Sequence, residues 1–352
     1  MNLQRENRAQ WTMGLLGIFL LCTLVVSVGV GPMSLSLSDS LQVAISRIGL
    51  IELNVPPHVV VVVESIRMPR TVLGMLVGAA LAVSGAAIQG LFRNPLADPG
   101  LIGVSGGAAL AAVASIVWGG TVLKPLHDLL GIYSLPMMAF LGGFITTLLV
   151  AWIATSRFGT SITTMLLAGV AINIVTGAGI GIFTYMADDA MLRTLTFWQM
   201  GSLGGATWDD VMAAATMIMV AVVLILRYAK SLNALLLGES EARHLGVDVG
   251  RIKVAVILLS ALAVGAAVAV SGMIGFVGLV VPHIVRMSLG PDHRYLLAAS
   301  ALLGALFLLL ADMLSRTVIA PAELPIGLIT AIIGGPFFIG LIVLRARQGG
   351  GL

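Results

Sequence analysis

Apolar runs, most close to 20 residues long, alternate along this chain with short polar segments. A helix that crosses a bilayer needs about 20 mainly apolar residues. Candidate spans lie at roughly 11–31, 71–92, 101–119, 134–156, 162–186, 208–228, 251–273, 275–289, 295–315 and 325–345. "HVVVVVE" at 58–64 is too short to cross and follows Pro56-Pro57, so it is expected outside the membrane as a loop or surface helix. The first run follows Arg5 and Arg8, as the core of a cleaved signal peptide would. It is long enough to span, however, and no A-x-A site follows, which favours an uncleaved helix. The pattern predicts an all-α integral membrane protein with ten transmembrane helices in a single domain, 1–352.

The eighth span is short and contains Pro282, His283 and Arg286. Positive residues concentrate on the cytoplasmic side of a membrane protein, and that rule tests the count. With ten spans and the N-terminus inside, 13 Lys and Arg fall inside and 6 outside (Arg47, Arg67, Arg70, Lys124, Arg193 and Arg316). Deleting span eight flips every later loop and leaves 10 against 9. The ten-span arrangement keeps the asymmetry, and both termini are then cytoplasmic.

Composition agrees. The chain is 59% hydrophobic and 10% charged, against about 25% charged in a soluble domain, so lipid must be the solvent for most of it. The net charge of +3 forms no basic patch, which argues against nucleic acid. The single cysteine, Cys22, lies in an apolar run and can form no internal disulfide.

Catalytic motifs are missing or misplaced. None of the lysines, Lys124, Lys230 and Lys253, follows a glycine, so no phosphate-cradling G-x-x-x-x-G-K-[ST] loop exists. "GVSGG" at 103–107 fits G-x-S-x-G but opens a membrane helix, where Gly106 and Gly107 read as close-packing residues. "GAGIG" at 177–181 has no strand before it. A membrane enzyme would need a nucleophile–base pair that is not evident. Span interiors are almost free of charge, whereas an ion-coupled transporter would be expected to carry a carboxylate relay. The nearest exception, Asp312, stands four residues before Arg316 on one helix face and is placed to pair with it. The chain thus shows no energy source of its own.

The segment Ser231–Lys253 offers one. "LNALLLG" stops at Gly238, Ser240 is placed to cap "EARHL", and Gly246 ends it. Two short cytoplasmic helices, about 232–250, would form a firm knob. Leu235, Leu236, Leu237 and Leu245 within a charged rim suggest a docking surface, suited to a cytoplasmic partner that hydrolyses ATP.

"RMPRTVLGMLVGAALAVSGAAIQGLFRNPLADPGLIGVSGGAAL" (67–110), "LGESEARHLGVDVGR" (237–251), "GFVGLVVPHIVRMSLGPDHR" (275–294) and "ELPIGLITAIIGGPFFIGLIV" (323–343) resemble the FecCD-type permeases of binding-protein-dependent ABC importers for iron chelates and vitamin B12. The resemblance implies the type II ABC importer permease fold in the inner membrane. It also implies a homodimer, two cytoplasmic ATPase subunits and a periplasmic binding protein. Glu239, Glu241, Arg243, His244, Leu245 and Gly246 match the coupling segment that fits the ATPase. Arg67, Arg70 and Arg316 match outward arginines that receive acidic residues of the binding protein, although helix-end anchoring competes with that role. Ser161, Ile162 and Thr163 fall at the cytoplasmic gate.

The resemblance implies a pore lined by spans five and ten, where Asn173, Thr176 and Thr330 are candidate pathway residues. Asn173 also suits interhelical bonding. "DDAMLRTLTFWQMGSLGGATW" (188–208) is most similar to heme permeases. Heme is therefore the expected transported substrate, and no permanently bound cofactor or metal is expected. Arg193 would meet a propionate, unless it pairs with Asp188 or Asp189. Met191 and Met200 would offer soft contacts to iron.

Overall fold

The computed structural model describes residues 2–33, 35–46, 55–156 and 159–347. Arg47 and Arg157, which enter the inside–outside count, lie outside them. Ten apolar helices of 13 to 28 residues follow the predicted spans: Asn2–Gly29, Met68–Phe92, Val104–Trp118, Ser134–Ala154, Ile162–Met186, Trp208–Arg227, Val249–Ser271, Val277–Leu289, His293–Ser315 and Ile326–Arg347. They are called spans one to ten. The regular strand structure among the described residues is one small antiparallel hairpin, Thr155–Ser156 with Gly159–Thr160, between spans four and five.

Span two is the centre. It is apolar on all sides, as a helix buried on every face should be, and it packs against spans six, seven, eight and nine. Spans three, four and five form a second group, joined to the first where span four meets span seven. The most apolar stretch of span two is 83% buried, against 11% for spans one and five, which therefore lie at the rim.

"HVVVVVE" is helical, and it is not separate. Pro57 starts a helix, Pro57–Val62, that runs through a π turn, Val63–Arg67, straight into span two. Proline at a helix's first turn lacks only a hydrogen that would go unused there. Pro69 is the reason for the wide turn. It has no N–H to offer the carbonyl four residues back, and Met68 N instead reaches Val63 O, five residues back.

Pro282 in span eight is handled differently. Its missing N–H frees the carbonyl of Gly278, and the Gln89 side chain of span two donates to that carbonyl at 3.2 Å. Gly85, one turn before Gln89, makes the approach possible: a Cβ there would stand 2.0 Å from Gly278 O. In "GVSGG" the glycines pack helices, as expected. A Cβ on Gly107 would meet Gly142 O of span four at 2.4 Å.

Spans three and eight are half-spans. Their 15 and 13 residues reach about 20 Å at 1.5 Å per residue, short of a ~30 Å hydrocarbon core. Gly278 lies against Leu81, Asp98 and Pro99. The start of span eight and the 3₁₀ turn Pro99–Ile102 that leads into span three therefore meet deep beside span two. Non-helical backbone at membrane depth persists only where protein buries it or a cavity receives it, and here it does line a cavity.

Candidate functional site

That cavity, of about 550 Å³, lies between spans two, three, five, seven, eight and ten. Pro99, Gly100, Met273, Gly275, Phe276 and Gly327 line it together with Asp98, Asn173, Gln199 and Met200. Asp98 caps the 3₁₀ turn by accepting from Gly100 N at 2.7 Å. Asn173 does bridge helices, donating to Gly100 O at 3.1 Å, and also faces the cavity. Thr176 and Thr330 are buried, and their hydroxyls donate to Asn173 O and Gly327 O of their own helices.

A surface helix, Asp189–Met200, joins spans five and six and carries the loop candidates. Met200 reaches the cavity wall, while Arg193 is exposed, its guanidinium 5.9 Å from the Phe197 ring centre. Met191 is half-buried on the same helix. Asp188 does not engage Arg193 but caps the helix through Met191 N at 2.8 Å.

The three outward arginines are drawn into the protein. Arg67, Arg70 and Arg316 are only 4%, 4% and 2% exposed. Arg70 donates to Asp312 at 2.8 Å and with one nitrogen to both oxygens of Glu323 at 2.9 and 2.8 Å. Arg316 makes the pair with Asp312 that their spacing implied, at 3.2 Å, and donates to Ser27 at 2.7 Å. Arg67 caps the end of span one through the carbonyls of Val28, Gly29 and Met33. All three still border a shallow depression of about 220 Å³ that Glu323 also lines.

On the opposite face, Ala229–Leu236 and Glu239–His244 form the two-helix knob. Gly238 (φ +119°) and Gly246 (φ +82°) turn the chain where side chains would be strained. Two details differ from expectation. Gly238, not Ser240, occupies the N-cap position, and Ser240 lies inside the helix. Leu235 is buried, so Leu236, Leu237 and Leu245 alone are exposed, beside Glu241, Arg243 and His244. Asn233 anchors the knob to span nine, donating to Asp292 at 2.7 Å and accepting from His293 N at 2.8 Å. Burial opposes ionisation of Asp292, but Arg294 and Asn233 outweigh it and hold the carboxyl down to about 2. Glu239 faces inward to Lys253, at 2.7 Å.

Ser161, Ile162 and Thr163 open span five. The Ser161 side chain caps it, accepting from Thr164 N at 3.3 Å, while Ser161 N donates to Ala154 O at the end of span four.

Asp98, Gln199, Glu323 and Lys253 were not singled out as site residues from sequence. Asp98 had a signal, because aspartate before Pro-Gly reads as a cap and turn. Lys253 had another: three and four residues either side of it stand Val249, Val256 and Ile257, so it projects from an apolar helix face.

Ten apolar helices, six of them around a cavity, with a knob on one face and a charged depression on the other, define a multi-pass transport permease. The chain belongs to the FecCD transport family, whose profile matches residues 19–345. It is 49% identical to the hemin transport system permease protein HmuU of Yersinia pestis, over 82% of this chain and 84% of that one. It is 44% identical to the cobalamin import system permease protein BtuC of Halobacterium salinarum, over 85% and 77%. A solved structure described as an inward-facing conformation of a metal-chelate type ABC transporter superposes with a TM-score of 0.81. That structure is 33% identical, and the match covers 95% of this chain and 98% of the other.

Proposed function

We propose that this chain moves heme across the inner membrane by alternating access. It works as a homodimer with both termini cytoplasmic. Two separate ATPase subunits bind the knob, with Leu236, Leu237 and Leu245 as the apolar contact. A periplasmic binding protein delivers substrate to the outer depression, where its acidic side chains meet Arg67, Arg70 and Arg316. Ser161–Thr163 form the cytoplasmic gate. The chain itself performs no hydrolysis.

The observation that carries the heme reading is the helix Asp189–Met200, which sets an exposed arginine against an aromatic ring at one end and Met200 on the cavity wall at the other. A planar guanidinium suits a propionate, and an aromatic or thioether surface suits the macrocycle. The hemin permease relative lends it weight. A corrinoid or ferric siderophore is the second reading. Asp98, Asn173 and Gln199 on the cavity wall favour an amide-rich cargo over an anionic one, and cobalamin permeases are among the relatives. Uptake of heme, a ferric siderophore and cobalamin into vesicles holding the purified complex decides between them. Heme uptake alone is expected, and uptake of cobalamin without heme would reverse the assignment.

A further inference from the structure

One buried ammonium joins the knob to the gate. Lys253, in the second turn of span seven, is only 4% exposed. Its Nζ stands 2.7 Å from Glu239 Oε1, at the first residue of the second knob helix, and donates to Thr160 O at 2.8 Å. Thr160 is the last residue of the hairpin and the immediate neighbour of Ser161, the cap of span five. The hairpin is itself fixed to span four through Ser161 N to Ala154 O.

A lysine that served only to orient a helix would extend its stem toward the headgroups. Lys253 turns inward among Val249, Ile252 and Val256, all buried. Burying an ammonium is costly unless it is paired and hydrogen-bonded, so its two partners are held firmly. A displacement of Glu239, itself about a third exposed, must therefore either carry the Lys253 head and Thr160 with it or leave a buried ammonium without its carboxylate partner.

We propose that Lys253 is a positioning residue that transmits movement of the knob to the start of span five. This rests on the reading of the knob as the ATPase dock. The chemistry is specific: one cation shared by a carboxylate on the moving element and a carbonyl on the gate.

The test uses the full complex with its ATPase in lipid nanodiscs. Cys22→Ser removes the native thiol, and Thr163→Cys places a reporter beside the gate. The rate of fluorescein-maleimide labelling is read with and without ATP plus vanadate. With Lys253 intact, nucleotide is expected to change that rate roughly fivefold or more, the lower range of coupling between sites. Lys253→Met should abolish the change while the ATPase still co-purifies and hydrolyses ATP. Glu239→Gln, which leaves the bond to Thr160, should abolish it too, and the double variant should lose nothing further. Glu239→Gln carries the test alone if Lys253→Met does not fold. A full nucleotide response in either variant overturns the proposal and leaves the dock intact, because a mere staple for the hairpin would lower thermal stability without changing the response. Failure of the unaltered chain to bind an ATPase would overturn the dock and the relay together.

Discussion

At the scale of single residues, the buried charge cluster of Arg70, Asp312 and Arg316 decides most. Asp312 is fully buried and holds both Arg70 and Arg316. Asp312→Asn would leave two buried cations short of a partner, and breaking such a pair costs about 3–5 kcal/mol. Thermal unfolding in detergent should show a large loss. Glu323→Gln should cost about 1 kcal/mol or less, because that side chain is about a third exposed and water compensates. Equal losses in the two variants would mean that burial does not govern this cluster. The Arg316–Asp312 pair was readable from a spacing of four. Arg70 was not, since it lies 242 residues from Asp312 and no periodicity says which helices touch. Arg193 is exposed, so its contact with a propionate should be worth ~1 kcal/mol or less. Arg193→Gln is expected to slow heme uptake about two- to fivefold, and full uptake by that variant would remove the residue from the pathway.

At the scale of elements, the contact of spans two and eight depends on a missing side chain. Gly85→Ala puts a Cβ into the Gly278 carbonyl, and neither backbone can yield. Overpacking of that kind costs about 1–3 kcal/mol or more. Gly17→Ala, in span one with open space around it, should be neutral or slightly stabilising in the same melting assay. The knob has its own test. Leu245→Asp should release the ATPase and leave the membrane domain folded, and co-purification at normal yield would end the docking assignment. Most spans were legible because a full crossing asks for about 20 apolar residues, and the half-spans three and eight, at 15 and 13 residues, are the exceptions. The helix at 58–64 was one of the two states expected, but its continuity with span two was not legible, because Pro69 is absorbed by a π turn rather than ending the helix. Ser240 is not the cap of that helix because Gly238, at φ +119°, takes the position two residues earlier.

At the scale of the whole molecule, the separation of the knob from the arginine cluster was legible, because the number of spans between them puts them at opposite ends of the bundle. The cavity was not, because a third of its lining, Asp98, Pro99, Gly100, Gln199, Met200 and Ile274, comes from outside the predicted spans. That wall has an evolutionary consequence. Gly100, Gly275, Gly278 and Gly327 have no side chain and so present peptide groups, and codon changes cannot exchange a peptide group for another chemistry. Laboratory selection for a new cargo should therefore recover substitutions mainly in Asp189–Met200, at positions such as Arg193 and Met200. Repeated recovery at 98–100 or 273–278 would show the wall to be more adaptable than its backbone character implies. One conduit could then serve cargoes of very different size, with discrimination left to whatever meets them at its entrance.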